Sequence, residues 1–322
     1  MTTEKQNRGM RNAILAQCFG APGQLAFTNG LMLLYFTALK LESDTIVFLL
    51  SLFTLPAALL LVPSAYAADR TGIKRLGTAG LWIMFISFIA LIPAAAIPLP
   101  WFTIVAAVCI SCLSAGSALF VGGWFGLLYP VVPESRRSLF FGRLRFSWQS
   151  VGLVFTGITA FFLTKDSPLI VFFVILAVLG TGFFMRIIFY TRIPEDESAQ
   201  PETRGSGILP AVREVLKTPR YAPFCAYVFL LILFTFNCPV IFGLIEKKVL
   251  DFGDNLVTVM GFLFMGGSMT GFALGGRAVH KYGTKTAFIT CHFSYALTLF
   301  LFVLRNNLVF SIPIVLGALN FL

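Results

Sequence analysis

The chain has 322 residues, of which 57% are hydrophobic and only 12% charged, with a mean hydropathy of +0.87. Soluble domains carry about 45–50% apolar and about 25% charged residues, so an ordinary water-soluble enzyme is excluded. The net charge of +10 would suit a nucleic-acid partner, but its Lys and Arg fall in alternate loops between apolar runs, a placement that points to a membrane surface instead.

Apolar runs of about twenty residues, enough to cross the hydrocarbon core as a helix, recur along the chain. Spans are predicted near 12–39, 45–68, 76–97, 101–129, 146–164, 168–192, 222–246, 255–276, 285–304 and 308–322. The first is too long for the apolar part of a secretory signal, and a second span follows at once. It is read as an uncleaved first span. The N-terminus, 69–75, 130–145, 186–221 and 277–285 hold 19 of the 24 basic residues. The other side has only Lys40, Lys165, Lys247, Lys248 and Arg305. The expected orientation is N-terminus and central loop in the cytoplasm, in a plasma (inner) membrane.

In span 1, Gln17, Gln24 and Thr28 stand at i, i+7 and i+11 and share one helical face. The intervening Gly20-Ala21-Pro22-Gly23 is expected to bend or loosen the helix. Between spans 2 and 3 the chain reads Ala65-Tyr-Ala-Ala-Asp69-Arg70-Thr-Gly72-Ile-Lys74-Arg75. Ala65 is small enough for a close helix contact, and Gly72 accepts the positive φ of a tight turn. Arg70, Lys74 and Arg75 anchor the loop at the cytoplasmic interface, and Asp69 suits a helix N-terminus. In span 4, Ser111, Ser114, Ala115 and Ala118 form a small-residue face for helix contact. Before span 5, Arg136, Arg137, Arg143 and Arg145 either receive an anion at the entrance or anchor the interface. Arg145, Gln149, Gly152 and Thr156 make one stripe along span 5, and span 7 offers Asn237 ahead of Pro239.

The polar stretch 193–221 has linker composition, with a surface helix expected around 208–217. Beyond it, residues 275–287 read GGRAVHKYGTKTA. Aligning Asp69 with His280 pairs Arg70 with Lys281, Gly72 with Gly283 and Lys74 with Lys285, an offset of 211. The seventh span begins at the same offset from the first. Two independent features thus indicate a tandem duplication of a six-span unit.

On these residues the chain resembles the major facilitator superfamily, whose Gly-x-x-x-Asp-Arg-x-Gly-x-Arg/Lys-Arg/Lys motif joins spans 2 and 3, with a weaker copy between spans 8 and 9. Ala65 replaces the first Gly of copy one; copy two keeps it as Gly276 but carries His280 for the acid. The resemblance implies an all-α polytopic membrane protein of two pseudo-symmetric six-helix halves. About ten helices would be present: 1–192 as the first bundle, 193–221 as cytoplasmic linker, and 222–322 as the first four helices of a second bundle. On the duplication the second half should run to about residue 403, so a C-terminal truncation is expected. The motif is implied to latch the halves on the cytoplasmic side; a plain positive-inside turn is the alternative. The family lines its cavity with spans 1, 4, 5 and 7, which nominates Gln17, Gln24, Thr28, Arg145, Gln149 and Asn237 as solute contacts. Their other reading is polar bridging between helices. An Arg inside span 4 and a Gly-Pro pair in span 5, carried by the family's drug–proton antiporters, do not occur here.

All fourteen Asp and Glu lie in loops or at span ends, which weakens proton coupling through these helices. The six Cys lie within apolar runs and read as small core residues, without a metal site or cofactor. No phosphate-binding Gly-x-x-x-x-Gly-Lys-Ser/Thr string and no His-Glu-x-x-His or Gly-x-Ser-x-Gly occurs, which argues against an ATP-driven pump and against an enzyme. The expectation is a monomeric carrier for a small organic solute, with the lipid bilayer as its other partner. A transport-inactive sensor or scaffold is the alternative.

Overall fold

The computed structural model describes residues 2–163, 167–195, 210, 213, 216–219, 221–235 and 238–303. Among them every regular element is helical. The elements are α1 (Thr3–Leu25), α2 (Leu31–Ala38), α3 (Ser43–Ser51), α4 (Leu55–Thr71), α5 (Ile73–Ala94), α6 (Leu99–Leu128), α7 (Arg137–Phe162) and α8 (Leu169–Thr191). After them come α9 (Tyr221–Thr235), α10 (Cys238–Leu244) with a π-turn at Ile245–Val249, α11 (Asp254–Tyr282) and α12 (Thr284–Val303).

Four stretches are long and apolar enough to cross a bilayer: Ser43–Thr71, Ile73–Ala94, Leu99–Leu128 and Leu169–Thr191. Their outward faces carry large exposed apolar side chains, such as Leu59, Trp101 and Val174. A surface this apolar suits hydrocarbon, and the chain is an integral membrane protein. The tenth predicted span, 308–322, lies outside the described residues.

The first two spans differ from the expectation. Each is a pair of helices, broken at Ala26–Gly30 and at Leu52–Thr54. The expected loosening at Gly20–Gly23 does not interrupt α1, which runs through Pro22 and ends after Leu25. Those glycines serve packing instead. A Cβ on Gly20 would strike the Arg186 side chain, and one on Gly23 would strike the Phe183 ring, so both let α8 lie close against α1. The break comes four residues later, where Thr28 and Asn29 both bond back to the Leu25 carbonyl and Gly30 takes φ 86°. In the second span Pro56 stands in the first turn of α4, where its missing N–H does no harm. The rings of Phe27 and Phe53 stack across the two breaks at 4.4 Å.

Several expected loops are shorter than predicted. The N-terminal polar segment is already helical from Thr3, and Asn12 Nδ2 donates to the Arg192 carbonyl at 3.0 Å. Residues 69–75 hold one non-helical residue, Gly72, and α7 begins at Arg137 rather than 146. α5 and α6 pack most extensively: a Cβ on Gly80 would meet the Gly116 carbonyl, and one on Gly116 the Gly80 carbonyl. α4 lies on α6 through Gly122 against Ser64 and Ala65, and the Ala57 N–H donates to Ser114 Oγ at 2.9 Å. The small face expected on span 4 does make a helix contact, with Ser114 and Ala118 buried.

The later helices meet the earlier ones toward one end. Gly152 and Gly157 on α7 face Met265 and Phe262 on α11. Asn29 Nδ2 approaches Met265 Sδ at 2.8 Å, and Gly243 faces Leu33. Buried Asp254, at the start of α11, pairs with Lys247 at 2.6 Å and accepts from the Ser167 N–H at 3.0 Å.

Candidate functional site

A cavity of about 840 Å³ opens among α1, α4, α6 and α7. Gln17, Ala21, Gln24 and Leu25 of α1 line one wall, and Thr28, Phe53 and Thr54 reach it from the two helix breaks. α6 supplies Ser117, Trp124 and Phe125; α7 supplies Phe141, Leu144, Arg145 and Trp148. The lining is aromatic with a few neutral polar groups and one cation. No Asp or Glu lines it. A surface of this kind binds an organic body by apolar contact and orients it by hydrogen bonds.

Four of the sequence-nominated contacts, Gln17, Gln24, Thr28 and Arg145, meet in this cavity. Their helical register explains it, since i, i+7 and i+11 return to one face. Gln24 Nε2 lies 3.5 Å from Ser117 Oγ, a long contact that leaves its amide available to another partner. Thr28 Oγ1 is turned back to the Leu25 carbonyl at 3.2 Å. Gln149 does not line the cavity. On α7 the lining positions are 141, 142, 144, 145 and 148, and Gln149, seven residues on from Gly142, shares their face without being among the lining residues. Further along α7 the stripe stops being cavity, as Gly152 meets Leu25 and Met265, and Thr156 Oγ1 approaches Met265 Sδ at 3.5 Å. Asn237 lies outside the described residues.

The sequence reading missed Arg186. It was counted with the cytoplasmic loop 186–221, yet it sits inside α8, 1% exposed and therefore withdrawn from both water and lipid. Its Nη2 donates to Gln17 Oε1 at 3.0 Å, and its guanidinium lies 4.2 Å from the centre of the Phe120 ring. Among the described residues its Nε and Nη1 have no hydrogen-bond partner. The available signal was the run of apolar residues on both sides, GFFMRIIFY, more than a turn before Arg192 ends the span.

The paired motif takes similar shapes at its two places. Gly72 alone separates α4 from α5 and has φ 98°; Gly283 alone separates α11 from α12 and has φ 81°. Both conformations are strained for any side chain. Ala65 packs on the α6 backbone, since a Cβ on Gly122 would lie 2.8 Å from the Ala65 nitrogen. Arg70 stacks over Tyr66 at 4.3 Å, and Lys74 Nζ donates to the Ile193 carbonyl at 2.8 Å, tying the turn to the exit of α8. Arg75 is exposed. Asp69 is also exposed, with no bonded partner among the described residues, so it does not cap a helix there. Lys281 lies 5.1 Å from the Tyr282 ring and Lys285 is exposed. Gly276 and His280 fall on α11, their side chains outside the described residues.

Lipid-facing helices around a polar-lined internal cavity define a membrane transporter of helical type. The chain matches the family model of the Major Facilitator Superfamily over residues 14–321 and belongs to that superfamily. Among solved structures it is similar to one described as the crystal structure of a bacterial homologue of iron transporter ferroportin in outward-facing state. The TM-score is 0.65 at 14% identity, over 98% of this chain and 82% of that one, a likeness of fold. Comparison with curated proteins gave no match.

Proposed function

We propose that the chain is a carrier that moves a small organic solute through this cavity by alternating access, without catalysing a reaction. The cavity carries the reading: it gathers neutral hydrogen-bonding groups and aromatic faces from four helices. The proposed frame has two six-span units, 1–192 and the part after 221, joined by 193–221, with about ten spans in the sequence and the N-terminus in the cytoplasm. The 211-residue offset and the single-glycine turns at Gly72 and Gly283 support it. In that orientation the contacts of α7, α2 and Ser167 with the later helices lie at the outer end. The cavity, with Arg145 and Trp124 near the inner end of their helices, faces the cytoplasm. Gln24, Gln17, Thr28 and Arg145 are the proposed solute contacts, and the two motif copies the proposed cytoplasmic latch.

A metal cargo of the kind named for the ferroportin homologue is not adopted. Among the described residues no group of three or more His, Cys, Asp and Glu could hold a metal ion.

Oriented vesicles test the carrier without knowledge of its solute. Cysteine placed at Ser117, which lines the cavity, in a background lacking the native Cys should react with an impermeant thiol reagent from either side. Labelling from one side only would remove alternating access and leave a sensor or scaffold.

A further inference from the structure

Arg186 is a full positive charge in the middle of a helical bundle, and among the described residues no carboxylate neutralises it. Its nearest compensation is one amide oxygen and one ring face. A charge withdrawn from water is costly unless paired, and intramembrane cations usually mark a ligand or ion pathway. Four buried side-chain nitrogen or oxygen atoms lack a partner among the described residues: Arg137 Nε, Arg186 Nε, Arg186 Nη1 and Tyr190 Oη. Three of the four are together, because Tyr190 stands one turn beyond Arg186 and both lie against Phe120. Those three atoms are all hydrogen-bond donors.

This cluster is next to the cavity. Gln17 lines the cavity and holds Arg186 Nη2. Trp124 also lines it and packs on both Phe120 and Tyr190. Gly20, one turn from Gln17, supplies the space that the guanidinium occupies. The chemistry of the fork matters here. A guanidinium offers two paired edges to a carboxylate, Nε with Nη2 and Nη1 with Nη2. Nη2 carries one N–H on each edge, so the single bond to Gln17 occupies one edge, while Nε and Nη1 remain unused.

We propose that Arg186 is the charge-recognition point of the carrier and that its solute is a small organic carboxylate. Resting on the carrier reading above, the inference names the substrate class of the same cavity. The apolar body of the solute lies against the aromatic wall formed by Trp124, Phe125 and Trp148. Its carboxylate displaces the Gln17 amide from Nη2 and takes one paired edge of Arg186. Gln17 is thus a removable cap that holds the empty guanidinium. The neutral amide of an otherwise identical solute has no charge to offer and does not displace it.

The test uses the full chain in lipid nanodiscs, with acetate, succinate and benzoate as probes, each beside its amide. Binding is read by quenching of Trp fluorescence and by thermal shift. At least one carboxylate should bind saturably, and its amide at least tenfold more weakly. Arg186→Lys keeps the charge but loses the fork, and should weaken that carboxylate at least tenfold. Equal binding of acid and amide overturns the proposal on the unmodified protein, whatever the variants do. So does saturable binding by none of the three acids, or unchanged affinity in Arg186→Lys. Amides that bind and move across vesicles as well as the acids would leave the carrier standing and remove only the carboxylate. One-sided labelling at Ser117 would remove the carrier itself.

Discussion

Where α5 crosses α6, Gly80 and Gly116 face each other backbone to backbone, with the Leu119 and Met84 side chains beside them. Where α1 crosses α8, Gly20 and Gly23 again bring two helices close, but the space they leave is filled by Arg186 and Phe183. The first seam is a contact of the kind that holds membrane helices together in the absence of a hydrophobic force. The second uses the same residue type to hold a charge inside the bundle, beside a cavity. Glycine in a membrane helix therefore has two uses here, and what faces it distinguishes them.

The comparison breaks most visibly at the first seam. Gly116→Val puts a branched side chain against the Gly80 carbonyl, which cannot move aside without parting the helices. A loss of about 3 kcal/mol is expected, at the upper end of typical overpacking, seen as a much lower melting temperature in detergent. Unaltered melting would mean that the seam is loose.

At the second seam, Gly20→Ala meets only the flexible Arg186 side chain. The expected loss is smaller, about 1–2 kcal/mol, and depends on that partner. In an Arg186→Gln background it should shrink by about 1 kcal/mol, the usual scale of coupling between touching residues. An additive pair of changes would show that Gly20 meets backbone rather than Arg186.

The Lys74 bond to the Ile193 carbonyl joins the start of α5 to the exit of α8, and so links the two seams. Lys74→Ala should cost about 0.5–1.5 kcal/mol in thermal unfolding, the net worth of such a bond. Lys74→Arg, which still offers a donor, should recover most of it.

The finest contrast lies within the cavity region. Gln24→Ala should weaken a bound carboxylate probe by about 0.5–1.5 kcal/mol with little change in melting, since its contact to Ser117 is long. Gln149→Ala, which is not among the lining residues, should change either quantity by less than about 0.5 kcal/mol. Equal effects of the two on affinity would return Gln149 to the site.

Apolar run length located the four long crossings, Ser43–Thr71, Ile73–Ala94, Leu99–Leu128 and Leu169–Thr191, because a bilayer demands about twenty apolar residues per crossing. The positive-φ turn at Gly72 was legible because glycine is the residue that tolerates it. Gln17, Gln24, Thr28 and Arg145 were found by register, and they do meet in one cavity. Gln149 lies on the same face as the lining residue Gly142 but is not itself in the lining, because a stripe on a helix is wide and the neighbours decide which of its residues reach the cavity. Pro22 and its glycines were read as a bend because the sequence does not reveal that Arg186 and Phe183 lie opposite. Arg186 was missed for a related reason: near the end of a span, one basic residue looks like the start of the next loop. The breaks at Ala26–Gly30 and Leu52–Thr54 do carry marks, Asn29-Gly30 and Pro56, which a reading by apolar run length passes over.

Those two breaks have a mechanical consequence. They stand side by side, stacked through Phe27 and Phe53, so α2 and α3 begin at a common joint. Below it, α1 and α4 are tied to α8 and α6; above it, Leu33 of α2 touches Gly243 of α10. A helix of eight residues is about 12 Å long, so a tilt of about 10° at the joint carries its far end through about 2 Å. That end does not swing alone, since Tyr35 Oη of α2 donates to the Leu91 carbonyl of α5 at 2.9 Å, and a tilt at the joint would also reshape the cavity wall that Thr28, Phe53 and Thr54 form.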